Sequence, residues 1–168
     1  ADYLDPRQHD RIVEAATDAA AVVGGSKFVA SCLAKHNPRA HVLWTSTPRP
    51  AAEPKLAPEA RGPIVAWAHA SSLAYHHEAE FVQRLMIEAS RRTRTVFWFF
   101  GTTDDQAGPW FEPIRSAGGT CVAIPPLDYA GYLERVAESA VGLQPVDPDH
   151  EFGRGKSFGK LLAYLSGE

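Results

Sequence analysis

The densest chemistry in the chain lies in Gly153-Arg154-Gly155-Lys156-Ser157, with Lys160 close behind. Two glycines, two cations and a hydroxyl precede apolar residues at Phe158, Leu161, Leu162 and Leu165, which is helical spacing. A helix N-terminus offers unpaired N–H groups and the positive end of the helix dipole, so this order suits an anion, usually a phosphate. Arg154 and Lys156 add charge, and Ser157 adds a donor or an N-cap. Lys160, one turn in, reaches the same phosphate or snorkels to solvent. The competing reading is a solvated glycine turn that caps a helix.

Two familiar phosphate motifs do not fit. A P-loop requires G-x-x-x-x-G-K-[ST]. Gly155-Lys156-Ser157 matches its end, but His150 stands where the first glycine belongs. The strands ahead of it end in His69, Gly101 and Pro125, and no aspartate stands at a strand end to hold Mg²⁺. The dinucleotide fingerprint G-x-G-x-x-G fails at Phe158, and it normally opens the first strand–helix unit.

Several elements must position this stretch. Residues 6–20 read as a helix, and 19–24 as a short buried strand. Ser26 caps a helix carrying Phe28, Val29, Cys32 and Leu33, and 41–47 reads as a strand. Residues 48–63 carry five prolines and no period, which predicts a stiff linker between a first domain (1–47) and a second (64–168).

Beyond the linker, apolar strands at 64–69, 96–101, 120–124 and 141–146 alternate with helices. Those helices span 75–92 (Phe81, Val82, Leu85, Met86 and Ala89 inward) and 109–117, with a third after Asp128 and a fourth from about Ser157. This pattern predicts an α/β, Rossmann-like parallel sheet with helices on both faces. Ligands in such sheets sit beyond the carboxyl ends of the strands, here the loops 69–74, 101–108, 125–127 and 147–156.

Bulk composition narrows the function. The chain has 168 residues, 45% hydrophobic and 22% charged, enough for a real core. A net charge of -3 gives no global basic field, so nucleic acid is not an expected partner and any anion site must be local. No apolar run approaches a membrane span of about 20 residues, and a cytoplasmic location is expected. Cys32 and Cys121 read as buried free thiols. His69, His76 and His77 lack metal spacing, because neighbours on a helix diverge by about 100°. Asp104-Asp105 reads as a solvated turn, and Trp110 as helix packing. No metal or other cofactor is expected.

A third pattern fits the phosphate stretch. Gly142-Leu-Gln-Pro145, Gly155-Lys156-Ser157, Lys160-Leu161-Leu162, Tyr164-Leu165 and Ser166-Gly167 follow one another in that order. This resembles the donor-domain segment of retaining GT-B glycosyltransferases. Residues 21–33 resemble the strand–helix that ends the acceptor domain of that family. His77-x-x-Glu80-Phe81 resembles the opening of its first donor-domain helix, and Pro125 to Leu133 its connection near the nucleotide base.

The resemblance implies transfer of a sugar from a nucleotide-diphosphate sugar to a saccharide, lipid or small-molecule acceptor. The nucleotide-sugar would be a substrate, not a cofactor. Arg154, Gly155, Lys156, Ser157 and Lys160 would hold the diphosphate, and His69, Ser71, Gly101, Thr102, Pro125, Pro126 and Tyr129 would line the donor pocket. The catalytic base and any peripheral membrane association would belong to parts outside this sequence, so the fragment alone is expected to be inactive. Two departures stand out. Ala163 occupies the place of an expected glutamate, with Glu151 or Glu168 as substitutes, and His69-Ala-Ser-Ser replaces a glycine-rich turn. The alternatives are a GT-B-like sugar-nucleotide epimerase and a non-enzymatic flavodoxin-like interaction domain.

Overall fold

The computed structural model describes residues 6–46, 57, 60–69, 75–147, 149, 151–156 and 158–165. The chain divides into two compact units, residues 1–46 with 146–158, and residues 47–145 with 159–168. The range 64–168, expected as one domain, is therefore shared, because residues 146–158 pack with the N-terminal segment. The described part of the linker, residue 57 and residues 60–63, is assigned to the second unit.

In the first unit, α1 (Pro6–Asp18), β1 (Val22–Gly24), α2 (Lys27–Leu33) and β2 (Ala40–Val42) are joined by a short α6 (Glu151–Gly155). The two strands pair in parallel, Val22 opposite Ala40. Ser26 caps α2 as its sequence position predicts, accepting the Val29 N–H at 3.2 Å. Asn37 fixes the return of the chain. Its amide donates to the carbonyls of Ala16 (2.9 Å) and Ala19 (2.7 Å), and its carbonyl accepts from the Arg39 N–H.

The second unit is Rossmann-like. Strands β3 (Ile64–Ala68), β4 (Val96–Phe100), β5 (Thr120–Ile124) and β6 (Val141–Leu143) form one parallel sheet in the order β5-β4-β3-β6. Chain order reverses between β3 and β6. Side chains alternate between the two faces. Trp67, Phe97, Phe99 and Cys121 pack with Ala79, Val82 and Met86 of α3 (His76–Arg92) and Ala107, Phe111 and Ile114 of α4 (Asp104–Ser116). Ala66, Ala68, Trp98, Phe100 and Ile124 face the other way, onto Val136 and Tyr132 of α5 (Tyr129–Val136) and Tyr164 of α7 (Gly159–Leu165). Cys121 is a buried thiol whose pKa burial pushes up to about 11, so it stays protonated at neutral pH.

Several expectations are revised. Helix α4 begins at Asp104, not Pro109, and runs through Pro109 and Pro113. The Gln106 side chain reaches back to the Thr103 N–H, Asp104 and Asp105 complement the helix dipole, and three buried side chains outweigh the lost backbone bonds. The pair Asp104-Asp105 is thus a helix first turn. On α3, Phe81 (51% exposed) and Leu85 (42%) face outward, because the inward stripe follows Ala79, Val82 and Met86. On α7 the apolar residues Leu161 and Leu165 are likewise exposed, and Ala163 with Tyr164 turns inward.

Tyr164 locks α7 onto the sheet. Its hydroxyl accepts the Ala68 N–H (3.1 Å) and donates to the Leu143 carbonyl (3.0 Å), tying the ends of β3 and β6 together. Its ring lies so close over Gly142 that any Cβ there would collide with it. Among the described residues, no helix is long and apolar enough to cross a membrane.

Candidate functional site

A pocket of about 350 Å³ opens at the carboxyl ends of β3, β4 and β5. That volume lies within the range of small-ligand sites. Ala68 and His69 come from the end of β3, Phe100 and Gly101 from β4, and Pro125, Pro126 and Leu127 from the loop after β5; α5 adds Tyr129 and Tyr132, and α7 adds Lys160.

Each element is placed by a local feature. Gly101 turns away from β4 with φ of +80°, a conformation other residues adopt only with strain, and its N–H bonds the Ile124 carbonyl at 2.8 Å. Asp128 starts α5 by accepting the Gly131 N–H at 2.8 Å, which brings Tyr129 and Tyr132 to the rim. Gln144 accepts the Leu161 N–H at 2.7 Å and so anchors the first turn of α7 beside Lys160. The His69 ring lies 4.1 Å from that of Tyr75, the residue immediately before α3.

The pocket brings together His69, Gly101, Pro125, Pro126, Tyr129 and Lys160, six residues expected at the site. Thr102 does not line it; it is 4% exposed, with its hydroxyl 3.4 Å from the Gln106 side-chain oxygen. Ser71 and Ser157 lie outside the described residues.

Arg154, Gly155 and Lys156 belong to the first unit. The expected glycine-rich loop is helical there, since α6 spans Glu151–Gly155 and the Lys156 N–H bonds the Gly153 carbonyl at 3.1 Å. Gly153 packs directly on the Asp147 carbonyl, where a side chain would not fit. The Arg154 guanidinium lies over the Phe28 ring at 4.7 Å, and the Ser26 hydroxyl donates to the Gly155 carbonyl at 3.4 Å. The last helix starts at Gly159 instead of Ser157, so this stretch is two short helices in two units. In the first turn of α7, the Leu161 N–H is already taken by Gln144.

Ala163 is 1% exposed, so the position expected to hold an acid is a packing position. The side chains of Glu151 and Glu168 lie outside the described residues.

Sequence reasoning placed Leu127 in the candidate loop 125–127 but did not single out Tyr132. Tyr132 carried a signal, as an aromatic one helical turn from Tyr129, but that spacing also marks a core stripe. In the structure it does both, packing on Phe100 edge-to-face at 5.6 Å while lining the pocket. Among the described residues, no three His, Cys, Asp or Glu side chains gather as metal ligands.

The architecture defines the class, an α/β protein with a Rossmann-like parallel sheet and a ligand-sized pocket at its carboxyl edge. Comparisons with protein-family models, curated protein sequences and solved structures gave no match for the chain.

Proposed function

We propose that this chain supplies the donor-binding part of a GT-B glycosyltransferase, which moves a sugar from a nucleotide-diphosphate sugar to an acceptor. The observation that carries the reading is the pocket beyond β3, β4 and β5. It gathers six residues expected at the site, of which His69, Gly101, Pro125 and Pro126 follow from the parallel topology alone, and one of them, Lys160, is a cation in an otherwise largely apolar lining.

The chemistry suits such a donor. When the sugar–oxygen bond breaks, negative charge grows on the departing diphosphate. A cation held ready at that point lowers the barrier without reorganising solvent. Lys160 is the group for this role in the pocket, and the apolar wall of Pro125, Pro126, Leu127 and the tyrosine rings suits the flat face of a base. Arg154 and Lys156 enter the proposal through the resemblance of their sequence stretch.

The test is calorimetric titration of the chain with UDP, GDP and ADP. One of the three should bind, and Lys160→Ala should weaken it about 10- to 100-fold, the scale of a charge-assisted hydrogen bond. The melting temperature should hold within about 2 °C, as expected for a substitution outside the core. Equal binding by the variant removes Lys160 from the site, and no binding by the parent chain removes the donor reading.

A further inference from the structure

Two tyrosines stand on the same face of the sheet, and burial treats them differently. Tyr164 uses its hydroxyl fully, between the Ala68 N–H and the Leu143 carbonyl. The Tyr132 hydroxyl is buried too, yet it has no hydrogen-bond partner among the described residues. Its ring is held at right angles to Phe100, with centroids 5.6 Å apart, and lies 6.0 Å from Tyr129.

A buried hydroxyl without a partner gives up its hydrogen bonds to water and gains nothing in return. Native proteins leave few such groups, and those that persist mark places where something else completes the bonding. Tyr132 lines the same pocket as Lys160 and His69. Phe100, Pro125, Pro126 and Leu127 present only apolar side chains there, so they discriminate by shape alone. A phenol adds direction, because a site built to hydrogen-bond one group rejects a ligand that lacks it. Burial, reinforced by Tyr129, pushes the phenol pKa up to about 12. The group is therefore neutral at physiological pH, with a proton to donate and lone pairs to accept.

We infer that the Tyr132 hydroxyl is a specificity-determining group of the pocket, hydrogen-bonding a polar edge of the nucleotide that occupies it. The inference rests on the donor-site reading and adds to it the residue that tells one nucleotide from another.

Tyr132→Phe removes one oxygen and leaves the ring in place. Two readouts decide the matter. Without ligand, the variant should melt at a higher temperature than the parent by about 1–4 °C, because an unpaired buried polar group is gone. In titrations with UDP, GDP and ADP, the best-bound nucleotide should lose about 5- to 30-fold in affinity, narrowing its lead over the other two. A lower melting temperature would mean that the hydroxyl has a partner within the protein, and overturns the inference. So does unchanged affinity, or an equal loss for all three nucleotides. If the parent chain binds none of the three, the donor reading falls and takes this inference with it, which is a distinct result from equal binding by parent and variant.

Discussion

Replacing Tyr164 by phenylalanine should cost more than any other single-atom deletion on the α5 and α7 face of the second unit. The hydroxyl accepts from the Ala68 N–H at 3.1 Å and donates to the Leu143 carbonyl at 3.0 Å, and Ala68 is 3% exposed. Phenylalanine deletes both bonds and leaves a buried backbone donor with no replacement. Two net hydrogen bonds at about 1 kcal/mol each, plus the desolvation of the orphaned N–H, give about 2–4 kcal/mol. For a chain of this size that is a fall in melting temperature of about 5–12 °C. Urea unfolding should show a lower midpoint at unchanged slope, and amide exchange at Ala68 should accelerate.

A second signature follows from ionisation. Burial, outweighing its hydrogen bond from Ala68, holds the Tyr164 phenol well above its ordinary range. The folded chain keeps that proton where the unfolded chain, with a pKa of about 10, releases it. The stabilisation is therefore complete below about pH 10 and is lost as pH rises further, at about 1.4 kcal/mol per pH unit. Tyr164→Phe should flatten this alkaline decline by that slope. A stability loss below about 0.5 kcal/mol, or an alkaline slope equal to that of the parent, would falsify the clamp.

Gly101→Ala should destabilise the second unit by about 1–2 kcal/mol, because φ is +80° there, and it should weaken nucleotide binding measured by calorimetry. Asn37→Ala removes three hydrogen bonds from a buried side chain and should cost about 2–4 kcal/mol by chemical denaturation, without altering the pocket residues.

Much of the architecture was legible in the sequence. Continuous apolar runs such as Val96–Phe100, alternating with amphipathic stretches, admit little besides a parallel sheet covered on both faces. Ser26 and Asp128 announced their helices because a cap is a local bond, made within three residues. The start of α4 was hidden by Pro109 and Pro113, whose local cost is outweighed by burying Ala107, Phe111 and Ile114.

The candidate site divides along the same line. That ligands would meet the chain at the strand ends follows from parallel topology alone, and His69, Gly101, Pro125 and Pro126 could be named from it. The Gly153–Lys160 stretch could not be resolved this way. Its glycines suit a phosphate loop and a close backbone contact equally well. Only the tertiary structure shows that Gly153 serves a close contact with the Asp147 carbonyl and that Arg154 lies over the Phe28 ring. Tyr132 and Tyr164 look alike in sequence, two aromatics on amphipathic helices. Whether a buried hydroxyl finds a partner depends on which distant backbone groups the fold brings within about 3 Å, and no local pattern encodes that distance. The sequence by itself placed the four strands of the second sheet, the caps at Ser26 and Asp128, and the carboxyl edge at which such sheets bind ligands, but it drew the two strands of the first unit too long. The tertiary structure alone decided which phenol became a clamp and which was left buried with no hydrogen-bond partner among the described residues.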